Sequence, residues 1–186
     1  MSVPKLRFPE FENAGEWDTQ QLDDYLMAYN ERISAETNIP IYSSTREGLL
    51  PQREYYNGRE LVNESEYGIV PNGFFVYRHM SDDGTFKFNI NTTGACIAVS
   101  KEYPVFSTTM NPYFLQCLLN DSHAFEAFAF KLKKGGTRTR LYLSVLQSWS
   151  TFLPSLPEQK KISDCLSSLD DLITAHKQKL NVPVSY

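Results

Sequence analysis

The chain has 186 residues, a length that suits one domain, or one domain with a projecting element, and argues against two independent domains. Hydrophobic residues make up 41% and aromatic residues 13%, a globular composition that excludes wholesale disorder. The net charge of −4 disfavours a nucleic-acid-binding surface spread over the whole molecule, so any such surface must be local.

The composition also bears on location and metal content. No apolar run approaches the roughly 20 residues that a membrane span requires, and the first five residues lack the apolar core of a signal peptide. Cys96, Cys117 and Cys165 are widely separated, without a second Cys or His at the spacing of a structural zinc site. We therefore expect a cytoplasmic protein with reduced, mostly buried thiols, no metal and no cofactor.

The first predicted element is a short amphipathic helix from Asp18 to about Tyr29, with Asp18 or Thr19 as its cap. Its apolar side chains stand at helical spacing: Leu22, Tyr25, Leu26 and Tyr29. We expect this helix to pack on the domain.

Residues 39–109 have a different pattern, with short runs rich in Val, Ile, Phe and Tyr. Asn72-Gly73 and Asp83-Gly84 punctuate these runs, and such pairs favour the tight turns of β-hairpins. The predicted strands contain Ile69-Val70, Phe74 to Tyr77, Phe86 to Phe88, Ile97 to Val99 and Tyr103 to Phe106.

A second helical stretch opens at Asn111-Pro112, where Asn can cap a helix and Pro suits its first position. Phe114, Leu115, Leu118 and Leu119 would share its inner face. The later Phe125, Phe128 and Phe130 are interpreted as core residues rather than platforms for stacked bases.

One concentrated basic loop follows. No Asp or Glu occurs from residue 127 to residue 157, and the glycine pair permits a close approach to a ligand. Cationic and hydroxyl side chains there suit phosphate oxygens, although a solvated run of charge is the alternative. The loop contains Lys131, Lys133, Lys134, Gly135, Gly136, Thr137, Arg138, Thr139 and Arg140.

The last element is a predicted helix that begins at a capping box, Ser155 to Glu158, and stops at Asn181 and Pro183. Apolar positions recur along it at intervals of four and three, which is typical of a heptad seam. Such a seam packs against another helix or, equally, on its own domain. The seam consists of Ile162, Leu166, Leu169, Ile173, His176 and Leu180.

Catalytic motifs are weak by comparison. Asn111-Pro112-Tyr113-Phe114 is only superficially similar to the adenine-holding loop of amino-methyltransferases, and no glycine-rich loop for a methyl donor precedes it. Glu158-Gln159-Lys160 has the acid-x-Lys spacing of metal-dependent nucleases but lacks a second acidic ligand on a suitable strand. No phosphate-binding Gly-Lys loop occurs, and the three histidines are isolated. We expect no catalytic residue.

Four segments together resemble the specificity subunits of type I restriction-modification enzymes. Pro4 to Phe11 followed by Trp17 is similar to the family's opening, Tyr67 to Tyr77 to its central segment, and Gly135 to Arg138 to its glycine-arginine loop. The end motif Leu153 to Ile162, running into Leu169 to Ile173, is similar to the junction between recognition domain and spacer helix.

The resemblance implies an α+β fold: a compact target-recognition domain of β-hairpins and short helices over residues 1–154, a spacer or dimerisation helix over 155–182, and a tail over 183–186. Because one recognition domain and one helix are present, the chain resembles half of a subunit. It would recognise double-stranded DNA without chemistry of its own and direct a methyltransferase subunit and a restriction-translocase subunit to the target.

The resemblance also suggests contacts. The basic loop and Arg78 are candidate DNA contacts, and Arg46 belongs to a polar loop, Ser43 to Arg46, that either reaches base edges or simply connects strands. The seam residues Ile162, Leu166, Leu169, Ile173 and Leu180 would pair weakly with a second copy or with another specificity chain. The alternative is a truncated or silent cassette that folds and pairs without reading DNA usefully.

Overall fold

The computed structural model describes residues 4, 6–58, 65–133 and 138–180. The helices are α1 (Gln52–Tyr55), α2 (Pro112–Asp121), α3 (His123–Lys131), α4 (Leu143–Gln147) and α5 (Leu156–Leu180). The strands are β1 (Asp18–Gln21), β2 (Leu26–Tyr29), β3 (Arg32–Ser34), β4 (Tyr42–Ser44), β5 (Leu49–Pro51), β6 (Glu66–Val70), β7 (Phe75–Tyr77), β8 (Met80–Ser81), β9 (Phe88–Ile90), β10 (Ile97–Ser100), β11 (Val105–Thr108), β12 (Thr139–Arg140) and β13 (Ser150–Leu153). This mixture of small sheets and short helices before one long helix confirms the predicted α+β class.

The strands pair antiparallel in several small sheets. A four-stranded sheet has the order β2-β11-β7-β9, and a three-stranded sheet has the order β10-β6-β3. Two-stranded ribbons are formed by β1 with β13, β8 with β12, and β4 with β5. None of the helices in the described part of the chain combines the length and the apolar character that a membrane span requires.

Strand β7 lies between two hydrophobic cores. Phe75 and Tyr77 belong to the larger core, which also takes side chains from α2, α3 and α4, whereas Val76 belongs to a smaller core with residues of β6, β10 and β11. Because successive side chains of a strand point to opposite faces, a strand of large apolar residues can serve both cores. All three β7 residues are 0% exposed.

The helix predicted from Asp18 to Tyr29 is wrong. The segment forms β1, a 3-10 turn over Leu22–Asp24, and β2. β1 pairs with β13 and β2 with β11, so partners far along the chain supply the backbone hydrogen bonds. Leu22 and Leu26 are buried in the larger core, and the turn between the two strands produces their helix-like spacing of four.

The two predicted turns are present, but the hairpin at Asn72-Gly73 is not. Gly73 has φ +83° and Gly84 has φ +87°, the left-handed region that glycine enters without strain. The Asn72-Gly73 turn joins β6 to β7, which lie in different sheets. The Asp83-Gly84 turn lies in the long connection between the paired strands β7 and β9.

The helix at Asn111-Pro112 is confirmed. The Asn111 side-chain oxygen accepts from the Phe114 N–H at 3.0 Å, which caps α2, and Phe114, Leu115 and Leu119 are buried. In α3, Phe125 is buried and Phe128 packs against the same core. Phe130 is 71% exposed, so its assignment to the core is wrong: it lies on the outer face of α3.

The three cysteines are free, but the expectation of burial is wrong for two of them. Cys96 and Cys165 are exposed, and Cys117 is partly buried. Cys96 follows a turn at Gly94, which has positive φ, and Cys165 lies on an outer face of α5. Neither position faces the cores formed by the sheets and short helices.

Candidate nucleic-acid interface

The β8-β12 ribbon brings distant parts of the chain together. Arg140 is the register partner of Met80, and Thr139 is the partner of Ser81. The pairing continues on both sides: the Leu141 N–H donates to the His79 carbonyl at 2.8 Å, and the Arg138 guanidinium contacts Asp82 at 2.8 Å. The ribbon therefore places the end of the basic loop against the segment after β7.

An open polar cleft of about 360 Å³ lies beside this ribbon. Its lining joins residues from the ribbon, from the turn after β8 and from the segment after β4. Arg46, Arg78 and Lys87 are its cationic members. The full lining is Ser44, Thr45, Arg46, Glu47, Tyr55, Arg78, Met80, Ser81, Asp82, Thr85, Phe86 and Lys87.

Two aspartates hold two of the arginines in place. Arg46 contacts both carboxylate oxygens of Asp83 at 2.7 Å, and Arg138 contacts Asp82. All four side chains are at least half exposed. Exposed ion pairs of this kind contribute about 0.5 kcal/mol each, so an incoming phosphate can replace the carboxylate at little cost.

Asp83 also organises the turn after β8. Its carboxylate accepts from the Thr85 N–H at 3.0 Å, from the Thr85 hydroxyl at 2.7 Å and from the Ser81 hydroxyl at 2.8 Å. The Thr85 hydrogen bonds, with those from Arg46 and Ser81, hold the pKa of Asp83 well below its usual range. The residue is thus an anion that fixes the turn and orients Arg46.

A buried hydrogen-bond network supports the segment that carries Arg46. The Asn89 amide donates to the Ser44 hydroxyl and to the Thr45 carbonyl, both at 2.9 Å. Ser43, Ser44 and Thr45 are each less than 9% exposed, so the interpretation that these hydroxyls reach base edges does not fit the structure. Arg46 alone of this predicted loop extends into solvent.

The other predicted DNA contacts of the basic loop lie in different environments. Lys131 and Lys133 are exposed at and just after the end of α3, whereas Lys134, Gly135, Gly136 and Thr137 lie outside the described residues. Thr139 is 2% exposed, and its hydroxyl has no hydrogen-bond partner among the described residues. Because this hydroxyl points inward, it does not suit the predicted contact with phosphate.

Among the cleft residues that were not predicted, a cation and an aromatic side chain are the ones suited to bind a ligand. Lys87 lies between the buried Phe86 and Phe88, and Tyr55 in α1 is 42% exposed at the cleft. The alternation of Phe, Lys and Phe was a usable signal, since it marks Lys87 as the outward residue of an extended segment. Nothing local marks Tyr55, because its position depends on how α1 packs against β4 and β5.

The start of α5 is joined tightly to the domain. Glu158 does not close the predicted capping box; instead its carboxylate receives two 2.8 Å hydrogen bonds from Arg7 and one of 3.2 Å from the Trp17 ring N–H. Arg7 therefore holds the pKa of Glu158 below its usual range, against the opposing effect of burial. The Gln159 side chain accepts from the Asn111 N–H and donates to the Pro154 carbonyl.

The rest of α5 leaves an apolar stripe exposed. Leu166, Leu169 and Ile173 of the predicted seam are 37%, 50% and 51% exposed, and Leu172 widens the stripe. Ile162 is different, because it packs against the larger core and does not belong to the free seam. The side chain of Leu180 and the predicted stop at Asn181 and Pro183 lie outside the described residues.

Comparisons with known proteins agree with this architecture. No curated protein matches the chain. The HsdS subunit from Thermoanaerobacter tengcongensis is similar in structure, with 12% identity and a TM-score of 0.55 over 96% of this chain and 42% of that one. A chain from a structure of the complex assembly and conformational transition of the type I R-M system gives 12% identity and a TM-score of 0.58, over 96% and 43%.

These structural similarities concern the fold, and the chain spans less than half the length of either protein. The sequence gives a more direct link. Residues 17–182 match the family of the type I restriction modification DNA specificity domain, from the edge of the N-terminal segment through α5. The match covers most of the chain, including the ribbon, the cleft and α5. This chain therefore belongs to the family of type I restriction-modification DNA specificity domains.

Proposed function

We propose that this chain recognises a DNA sequence as a half-length specificity subunit of a type I restriction-modification complex and performs no chemistry itself. In that role it directs a methyltransferase subunit and a restriction-translocase subunit to the target in the cytoplasm. The observation that carries the proposal is a polar cleft lined by Arg46 and Arg78 in a member of this family, with Arg138 and Arg140 on the ribbon beside it.

The local charge supports DNA binding in spite of the acidic composition. The net charge is −4, but three cationic side chains line the cleft and two more lie at the adjoining ribbon, so they outnumber the two acidic residues of the lining. Phosphate contacts dominate the affinity of proteins for DNA and require only such a local surface. The aspartates that hold Arg46 and Arg138 keep these groups oriented until phosphates replace them.

The helix supports an assembly role. Residues 156–163 pack against the domain through Glu158, Gln159 and Ser163, which are at most 4% exposed. We therefore assign residues 1–154 and this helix base to the recognition domain, and the helix beyond Ser163 to the spacer. The exposed stripe pairs with a second copy or with another specificity chain, and an antiparallel pair would present two recognition domains at a defined separation.

The direct experiment is methylome mapping in cells that carry the methyltransferase subunit, with and without this chain. A methylated motif that depends on the chain is the expected result, and the motif reports the sequence that is read. A folded chain that yields no motif would contradict the proposal and favour the silent cassette.

A binding assay tests the surface. In the double variant Arg46→Ala/Arg138→Ala of the full chain, DNA affinity should fall for all sequences, and the slope of log K against log salt should decrease by about two. The control Lys177→Ala/Lys179→Ala removes the same charge from exposed positions far along α5. Equal losses in both variants would contradict an interface at the cleft.

A further inference from the structure

The β8-β12 ribbon has two chemically different faces. Ser81 and Thr139 form the inner pair and are at most 7% exposed; the flanking His79 and Leu141 are buried with them. Met80 and Arg140 form the outer pair, and Arg140 is exposed. The strict alternation along both segments extends the outer face to three flanking exposed residues: Arg78, Asp82 and Arg138.

The arginines of this region fall into two classes. Arg46 and Arg138 are held by Asp83 and Asp82. The side chains of Arg78 and Arg140 are exposed and, within the residues that the structure describes, make no ion pair or hydrogen bond. Their guanidinium groups keep all five donors available, and a guanidinium can donate two parallel hydrogen bonds to one acceptor pair.

Hydrogen bonds on the buried side of the ribbon fix its backbone. Tyr77 is 0% exposed, and its hydroxyl donates to the Leu141 carbonyl at 2.9 Å, directly after the β12 strand. The Leu141 N–H in turn donates to the His79 carbonyl. Outer side chains therefore project from a backbone that the larger core fixes in place.

The dimensions of the ribbon suit duplex DNA. Paired strands lie about 4.8 Å apart, and the major groove, about 12 Å wide, admits a two-stranded β-ribbon. In that groove Arg pairs with the two acceptors of guanine, and an apolar side chain contacts the thymine methyl group. Arg78, Met80 and Arg140 present this combination on one face.

We propose that the outer face of the β8-β12 ribbon is the base-reading element, in which Arg78 and Arg140 contact guanine edges in the major groove and Met80 contacts a neighbouring base. Arg46 and Arg138 bind phosphates on either side. This assignment rests on the proposed function and extends it, since it separates the residues that determine specificity from those that determine affinity.

Methylome mapping with substituted full-length chains tests the assignment. Arg140→Ala should lower the preference for one base pair of the motif by roughly 10- to 100-fold while the rest of the motif persists. Arg140→Gln should move that position from guanine towards adenine, because Gln pairs with the adenine edge. A misfolded variant cannot gain a new preference, so this second variant distinguishes lost contacts from lost folding. Arg78→Gln should act at a different position.

The control is Arg32→Gln, an exposed arginine on β3 in a different sheet, and it should leave the motif unchanged. If the Arg78 and Arg140 variants keep the wild-type motif, the ribbon assignment alone is overturned. The same follows if the binding assay shows that these variants lose affinity equally for all sequences and have a smaller salt slope. A wild-type chain that produces no motif would overturn the proposed function and the ribbon assignment with it.

Discussion

The two parts of α5 reverse the usual distribution of side chains. In its first two turns the polar residues Glu158, Gln159 and Ser163 are buried. Further along, the apolar Leu169 and Ile173 are half exposed. Hydrophobicity alone would have assigned these two regions to the wrong environments.

The difference lies in the partners that each region has. The buried polar groups of the base are hydrogen-bonded to Arg7, to Asn111 or to the helix backbone, so the penalty for removing them from water is offset. The exposed Leu169 and Ile173 leave apolar surface in water, which costs about 25 cal/mol of free energy per Å². The base is thus complete within this chain, and the distal stripe requires a partner.

The largest effect is expected for a substitution that removes the ion pair at the base of α5. Glu158→Ala should lower the free energy of unfolding by about 3 kcal/mol, because it leaves the Arg7 side chain beneath the surface without its carboxylate. Chemical denaturation measures the change. The control Asp164→Ala removes an exposed partner of Lys160 on the same helix and should cost no more than about 0.5 kcal/mol. If both substitutions lowered the free energy of unfolding equally, the buried ion pair would be no more important than an exposed one.

A second change tests the other side of the base. Gln159→Ala should cost about 2 kcal/mol, because the Asn111 N–H and the Pro154 carbonyl lose their partner in a buried site. Ser168→Ala is the control, since its exposed hydroxyl contacts only its own helix, and its effect should stay within about 0.5 kcal/mol. If both variants unfold at the same denaturant concentration, Gln159 does not stabilise the joint.

The ion pair at the base should also respond to pH. Since the pKa of Glu158 is lower in the folded chain than its ordinary value of 4.5, its stabilisation is fully present above that value. It is lost as the pH falls through the folded pKa. The difference in free energy between wild type and Glu158→Ala should therefore shrink below about pH 4.5. A constant difference down to the acid transition would argue against an ionised carboxylate.

The smallest effect on folding is expected in the distal stripe. Leu169→Asp with Ile173→Asp should change the free energy of unfolding by only about 1 kcal/mol, mainly through helix propensity, but should abolish pairing in analytical ultracentrifugation. Thr174→Asp with Gln178→Asp places the same charge at the same spacing on exposed positions outside the stripe. A wild-type monomer at high concentration, with modification retained in the stripe variant, would contradict the spacer role.

Local signals were sufficient for several elements. Asn111-Pro112 predicted the start of α2, and Ser155 to Pro157 predicted the start of α5, because caps and proline act within one turn of helix. The glycines of Asn72-Gly73 and Asp83-Gly84 predicted turns for the same reason. The ordered motifs along the chain were sufficient for the family, which the match over residues 17–182 confirms.

Tertiary structure decided what depends on distant partners. The segment from residue 18 to residue 29 forms β1 and β2 because these strands pair with the edges of β13 and β11, far along the chain. Glu158 became a buried anion because Arg7, 151 residues away, lies beside it. Arg46, Arg78 and Arg140 stand in three unrelated segments, and only the pairing of β8 with β12 and the packing of β4 bring them to one surface. Helix caps and turns act over a few residues, whereas strand pairing and buried ion pairs form between segments whose proximity exists only in the folded chain.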